Sequence, residues 1–163
     1  MIDTSVFVKS LNGKPVAVFG LGITNIAVMK SLVKAGADCV AWDDNESRHD
    51  EAESAGASVR NFAHDNLSSY ACLVLAPGVP FTHKPHDIVS KARQSGLEIF
   101  CDLEILHRCG HGRKTVGITG TNGKSTTTAL IGHILNECGI TAAVGGNIGT
   151  AALDLRMSAT DGV

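Results

Sequence analysis

The sequence predicts an α/β fold with a mostly parallel sheet, and three observations predict it. First, a helix-like stretch ends in glycine and a β-prone run follows, around Gly36, Gly56, Gly96 and Gly139. Glycine just past a helix end takes the left-handed conformation cheaply and lets the chain turn back into a strand. Second, residues 15–19 (PVAVF) and 71–75 (ACLVL) are apolar almost throughout, as suits strands covered on both faces. Third, two β-prone runs lead into glycine-rich corners that open helices, one at Gly20-Leu21-Gly22 and one at Gly120 to Gly123.

In chain order, residues 15–19 form the first strand, and Gly20-Leu21-Gly22 opens a helix over about 24–35. Residues 38–42 form the second strand, which ends in Asp43-Asp44, and 46–55 read as a helix. Residues 71–75 are a buried strand followed by a rigid loop, Ala76-Pro77-Gly78-Val79-Pro80. A helix over 87–95 and a strand over 97–101 follow. Residues 102–109 are short and amphipathic, a linking helix that Asp102 would N-cap. Residues 110–114 (GHGRK) are small, polar and flexible, so a domain boundary falls between 102 and 113. The second unit then holds a strand at 116–119, a glycine loop, a helix from 127 to about 138 and a β-prone run at 141–144. A further glycine corner, Gly145-Gly146-Asn147-Ile148-Gly149, precedes a short helix over 151–157. So few elements bury too little surface to stand alone. The expectation is an N-terminal piece of a longer enzyme, or an unusually truncated one.

The chain has 163 residues, 44% hydrophobic against 18% charged, which fits a soluble globular protein of one full domain, or of one small domain plus part of another. Aromatics make up only 4%, so Val, Ile, Leu and Ala must build the core. A net charge of -2 without a basic stripe argues against nucleic acid as a partner. No apolar run is long enough for a bilayer and the first residues lack a secretory pattern, so a cytoplasmic protein with no membrane partner is expected. Five cysteines, odd in number and without a C-x-x-C pair, read as reduced thiols. His107-x-Cys109-x-His111 puts only the histidines on one helical face and Gly110 interrupts it, so it does not read as a zinc site. His83 and His86 read as loop surface, and Trp42 as packing at a strand end.

The most informative stretch is residues 116–126, VGITGTNGKST. Strand, glycine loop, Lys-Ser/Thr and helix form a phosphate cradle. Glycines let backbone amides point at phosphate oxygens, and the helix start adds partial positive charge. Lys124 would reach the outer phosphates, and the Ser125 hydroxyl would ligate Mg²⁺. The common pattern G-x-x-x-x-G-K-[ST] wants glycine where this chain has Ile118, so the loop is a variant. The first corner, Gly20-Leu21-Gly22-Ile23-Thr24-Asn25, approaches G-x-G-x-x-G but has asparagine in the third glycine's place. With Asp43-Asp44 about twenty residues on, it also suits a dinucleotide-dependent oxidoreductase. Against that reading stand the missing third glycine and a second phosphate loop that hydride transfer does not need. A non-catalytic nucleotide-binding module is a third reading.

Together these corners resemble the Mur ligase family of peptidoglycan precursor synthesis, and within it the branch that adds D-glutamate. The residues that carry the likeness are Gly20-Leu21-Gly22-Ile23-Thr24, Asp43, Ala76-Pro77-Gly78-Val79 and Asp102-Leu103-Glu104. It continues through the ITGTNGKST loop of residues 118–126 and Gly145-Gly146-Asn147-Ile148-Gly149. The variant G-T-N-G-K-S loop is typical of that family. The resemblance implies a Rossmann-like N-terminal domain (residues 1–102) that holds a UDP-linked substrate. It implies a linker and the first β-α-β part of a P-loop ATPase domain over 103–163. It further implies an ATP- and Mg²⁺-dependent ligase that joins D-glutamate to UDP-N-acetylmuramoyl-L-alanine through an acyl phosphate. On this resemblance, Leu21, Gly22, Ile23 and Thr24 line the UDP diphosphate, Asp43 meets the uracil, Gly78 approaches the UDP group, and Asn147 contacts the muramoyl moiety. Gly120, Thr121, Asn122, Gly123, Lys124, Ser125 and Thr126 hold ATP, with Lys124 catalytic and Ser125 on the metal. One position departs: the family often carries Thr and Arg after Asp43, where this chain has Asp44 and Asn45, so a cation near the diphosphate is missing there. The family's metal-binding acid, its carbamoylated lysine, second-metal histidine and D-glutamate pocket would follow residue 163. The 163 residues alone are therefore expected to lack ligase activity.

Overall fold

The computed structural model describes residues 2–109, 114–147 and 149–156. His111 and Ile148, named above, lie outside the described residues, as does the far end of the helix expected to reach residue 157. In order, the elements are α1 (Ser5–Ser10), β1 (Val16–Phe19), α2 (Ile23–Lys34), β2 (Cys39–Trp42), α3 (His49–Ser54) and β3 (Ser58–Val59). They continue with β4 (Cys72–Leu75), α4 (Asp87–Gln94), β5 (Ile99–Phe100), α5 (Asp102–Arg108) and α6 (Lys124–Glu137). The five strands form one parallel sheet in the order β3-β2-β1-β4-β5. The expected α/β, Rossmann-like architecture is therefore present.

The apolar strands are explained by what covers them. Successive side chains of a strand point to opposite faces. Val16 and Val18, with Cys39, Ala41, Cys72 and Val74, face a core completed by Phe7 of α1, by Ile26, Met29 and Leu32 of α2, and by Ile105 of α5. Ala17 and Phe19, with Val40, Leu73 and Leu75, face the other core, which holds Phe62, Leu67, Tyr70 and the α4 residues Ile88, Val89 and Ala92. β1 sits at the centre, with Phe19 level with Trp42 on one side and Leu75 on the other. The strand ends, and the corners that follow them, are thus brought together at one edge of the sheet.

Several elements differ from expectation. α1 was not anticipated; its Phe7 is buried edge-on to Phe100 at 6.2 Å, a tertiary contact. Residues 46–55 split into a 3-10 turn, Glu46–Arg48, and α3, because the Asn45 side chain caps the turn by accepting from the Ser47 amide. The N-cap of α5 is Cys101; Asp102 is its first residue, buried, with its carboxyl pushed above the usual range by that burial. Glu104 pairs instead with Arg108, Nε to Oε1 at 2.7 Å. Residues 116–119 and 141–144 carry no strand. A β-prone run becomes a strand only when a neighbour accepts its ladder, and among the described residues none does.

α6 forms nonetheless, and starts at Lys124, three residues earlier than expected. Asn136 ties it to the extended run after it: Nδ2 donates to Gly132 O at 2.8 Å, and Oδ1 accepts from the Ala142 amide at 3.1 Å. The expected short helix is a 3-10 turn, Ala152–Asp154, whose Leu153 is buried in the first core and accepts from the Ile2 amide at 2.8 Å. Among the described residues no helix is long and apolar enough to cross a membrane.

The thiols test this packing. Cys39, Cys72 and Cys109 are buried, whereas Cys101 and Cys138 are exposed. Burial pushes the Cys39 and Cys72 thiols up to about 12, and Cys109 upward as well. Thiolate is the reacting form. Titration of the native chain with a thiol-specific chromogenic disulfide at pH 8 should modify Cys101 and Cys138 quickly, and the other three only after denaturant is added. Rapid modification of Cys39 or Cys72 in the native chain would contradict the packing.

Candidate functional site

The first corner follows β1. Gly20 has φ 86°, and a Cβ there would stand 2.7 Å from Ala76 Cβ and 3.1 Å from Val79 Cγ2. Only glycine combines that left-handed backbone with so close an approach to the loop after β4. The loop is pinned in turn, since the Ala76 amide donates to Phe19 O at 3.0 Å and the Val79 amide to Ala76 O at 3.0 Å. Gly78 lies on that loop with open space where a side chain would be. The loop that carries Gly78 and the Gly20–Gly22 bend, singled out separately in the sequence, therefore meet through Ala76 and Val79.

Asp43 closes the corner from the end of β2. Its Oδ2 accepts from the Leu21 amide at 2.6 Å, and its Oδ1 accepts from the Asn45 amide at 2.8 Å. Leu21 is also buried, so it shapes the bend, and its amide is committed to Asp43. The free donors lie one step on. Gly22 is the N-cap of α2 and provides no capping side chain, and Ile23 is 80% exposed. The first amides of a helix have no intrahelical acceptor, so those of Ile23 and Thr24 face outward at a positive helix end.

Asn25, in place of the third glycine, is fully buried. Its Nδ2 donates to Phe19 O at 3.1 Å and to Gly20 O at 2.9 Å, which binds the helix start to the strand end. A third glycine would allow close packing and leave these bonds unmade. Asn25 Oδ1 has no hydrogen-bond partner among the described residues.

Three side chains complete the rim, and sequence reasoning did not assign them. Arg48, at the end of the 3-10 turn after β2, donates from Nη1 to Leu21 O at 3.1 Å. A Cβ on Gly22 would stand 3.6 Å from that same Nη1. His49 Nε2 contacts Asp43 O at 2.9 Å, and its ring lies 4.5 Å from that of half-buried Trp42. His86 is more than loop surface. Its Nδ1 accepts from the Ile88 amide at 3.2 Å, so Nε2 carries the proton and donates to Asp44 Oδ2 at 3.1 Å. No sequence signal marked them, since all three lie several residues beyond the strand ends that they serve.

The second corner is separately built. Gly123 is the N-cap of α6 with φ 78°, has no capping side chain and has nothing within 4 Å of where a Cβ would be. Lys124 turns back to donate from Nζ to Gly120 O and to Thr121 O, the latter at 3.2 Å. Thr121, Asn122, Ser125 and Thr126 are exposed around the bend. The loop is thus open, with its ammonium resting on its own carbonyls. Among the described residues, no three His, Cys, Asp or Glu side chains gather to hold a metal ion. Ser125 is an exposed hydroxyl in the first turn of α6, which suits one ligand position on a phosphate-bound cation. In the further glycine corner the Gly146 amide donates to Thr150 O at 2.9 Å, and Asn147 is exposed at its tip.

Comparison with known proteins adds sequence relatives. The chain is 45% identical over 156 residues to the UDP-N-acetylmuramoylalanine--D-glutamate ligase of Paramagnetospirillum magneticum, covering 95% of this chain and 34% of that protein. It is 46% identical over 156 residues to the like-named ligase of Bartonella henselae (88% and 34%), and 48% over 153 residues to that of Rhizobium meliloti (91% and 33%). The chain thus spans about a third of the length of the curated relatives it matches. No protein-family model matches it. Among solved structures, UDP-N-acetylmuramate:L-alanyl-gamma-D-glutamyl-meso-diaminopimelate ligase from Neisseria meningitides aligns at TM-score 0.49 and 21% identity, over 88% of this chain and 46% of that one. Shikimate dehydrogenase from Aquifex aeolicus aligns at 0.48 and 19%, over 68% and 53%. At TM-scores this low, neither likeness bears on function.

The Asp43 tie makes a direct prediction. Asp43→Ala leaves the Leu21 and Asn45 amides without their acceptor and should cost about 1–3 kcal/mol in urea denaturation. Asp44→Ala, which removes only an exposed pair with His86, should cost about 0.5 kcal/mol or less. Equal effects would mean that Asp43 does not hold the bend.

Proposed function

The chain belongs to the Mur ligase family, and on that premise we propose that it is the UDP-substrate unit and the opening of the ATP unit of a D-glutamate-adding ligase. The observation that carries this reading is that both glycine corners open a helix whose first amides have no capping side chain. Such ends attract phosphate. On this reading residues 1–102 hold UDP-N-acetylmuramoyl-L-alanine, and 103–163 are linker and the start of the ATP-binding domain.

The chemistry joins a carboxyl to an amine, which needs activation because carboxylate is a poor electrophile. ATP transfers its γ-phosphoryl to the alanyl carboxylate oxygen, giving an acyl phosphate and ADP. The D-glutamate amine would attack the acyl carbon and give up one proton to solvent, and the C–O bond to phosphate would break as the tetrahedral intermediate collapses to the amide. The amides of Ile23 and Thr24 would hold the UDP diphosphate, with Gly22 and Gly78 leaving room for it. Asp43 would orient the bend toward the uracil side, and Asn147 would meet the muramoyl part. Gly120, Thr121, Asn122, Gly123 and Thr126 would cradle ATP. Lys124 would exchange its own loop carbonyls for phosphate oxygens and offset their charge. Mg²⁺, held in part by the Ser125 hydroxyl, would neutralise the same phosphates when bound.

A cytoplasmic setting fits substrates of this kind. The rival reading, a dinucleotide-dependent oxidoreductase, rests on the first corner alone, where Asn25 fills the third glycine's place.

Thermal denaturation with added nucleotides tests the proposal. UDP should raise the melting temperature of the chain and NAD(H) should not; stabilisation by NAD(H) alone would overturn it. Incubated with ATP, UDP-N-acetylmuramoyl-L-alanine and D-glutamate, these 163 residues should form no amide product, and product formation would contradict the division of labour.

A further inference from the structure

We infer that Arg48 is the cation that grips the diphosphate at the first corner, an assignment that rests on the UDP reading above. Three observations carry it. The guanidinium is held at the corner, with Nη1 on Leu21 O at 3.1 Å and close against Gly22, the N-cap of α2. Its turn is fixed from below, because Asp43 Oδ1 accepts from the Asn45 amide, and Asn45 Oδ1 accepts from the Ser47 amide and hydroxyl at 3.2 and 2.8 Å. Finally, Arg48 has no carboxylate partner among the described residues. Glu46 and Asp50, two residues to either side, form no ion pair with it, while Asp43 is engaged with backbone amides and Asp44 with His86.

The charge balance gives these contacts their meaning. A helix N-terminus carries partial positive charge, and a cation beside it is unfavourable in the free protein. Here an arginine is set against such an end with no ion pair of its own among the described residues, the Asp43 carboxylate of the same corner being committed to two backbone amides. The arrangement becomes favourable when an anion sits between guanidinium and amides and receives bonds from both. One guanidinium nitrogen is used by Leu21 O, which leaves further donors of the planar fork for phosphate oxygens. Arg48 comes from the turn after β2 and the amides from the turn after β1, so they approach the anion from different elements. A diphosphate, with more than one group to hold, fits this better than an isolated monophosphate.

A purely structural role for Arg48, as a tie on Leu21 O, predicts something different. Removing a tie destabilises the free chain; removing an unbalanced cation does not. Isothermal titration of the 163-residue chain with UDP and with uridine, alongside unliganded melting, separates the two. In Arg48→Gln, UDP affinity should fall about tenfold or more, uridine affinity should hold, and the unliganded melting temperature should be unchanged or higher. Arg48→Lys, which keeps the charge and loses the fork, should recover part of the UDP affinity. An Arg48→Gln chain that binds UDP as the parent does would overturn the assignment. So would equal losses for UDP and uridine together with a lower melting temperature. A parent chain that binds uridine without any gain from the diphosphate also defeats it, and leaves the uridine reading standing. A parent chain that binds neither ligand removes that reading and the assignment with it.

Discussion

The hydrogen bond from the Leu21 amide to the Asp43 carboxylate, 2.6 Å long, is the contact on which the first site depends. It joins the ends of two adjacent parallel strands, β1 and β2, one residue beyond the backbone bond from the Gly20 amide to Trp42 O at 3.0 Å. With Leu21 fixed, Gly22 becomes the start of α2, and the next amides face open space. The same carboxylate fixes Asn45, and through it the turn that carries Arg48. One side chain thus sets both the donors and the cation, and its residue type follows: a carboxylate has two oxygens that only accept, and two backbone amides need acceptors.

The two corners solve one problem in different states of completion. Around Gly20 the sheet is whole, covered on both faces, and the bend is wedged between Ala76, Val79 and the Asn25 amide group. Around Gly123 no strand stands behind the loop among the described residues, and α6 buries only Gly132. Leu130 and Ile134 of α6 are exposed, as are Val116, Ile140 and Val144 on the flanking runs. The loop geometry persists because the glycine dihedrals and the start of α6 are local, whereas a strand is a property of its neighbours.

That difference explains what the sequence made legible. β1, β2, β4, α2 and α4 were readable because apolar runs, glycine stops and helical spacing are local signals. α1 was not, since its Phe7 gains its place only against Phe100, far along the chain. β3 was signalled by the β-prone run after Gly56, but two residues at a sheet edge carry too little pattern to set its bounds. The runs at 116–119 and 141–144 were over-read for the opposite reason: β propensity describes a surface that has a partner. At the site, both glycine bends, Asp43 and Gly78 were legible as a motif. Asn25 was read as a missing glycine, and its role as a double donor needed the distances to two carbonyls. Arg48 was invisible because its contact spans 27 residues and depends on the turn that Asn45 caps.

The account stands on the claim that the amides just beyond Gly22 are the receptor for a nucleoside diphosphate. Backbone amide resonances of the chain, followed during titration with UDP, test it most directly. The account predicts large shifts at Ile23 and Thr24, with little change at Leu21, whose amide stays on Asp43. Shifts confined to residues 120–126, or none near the start of α2, would contradict it.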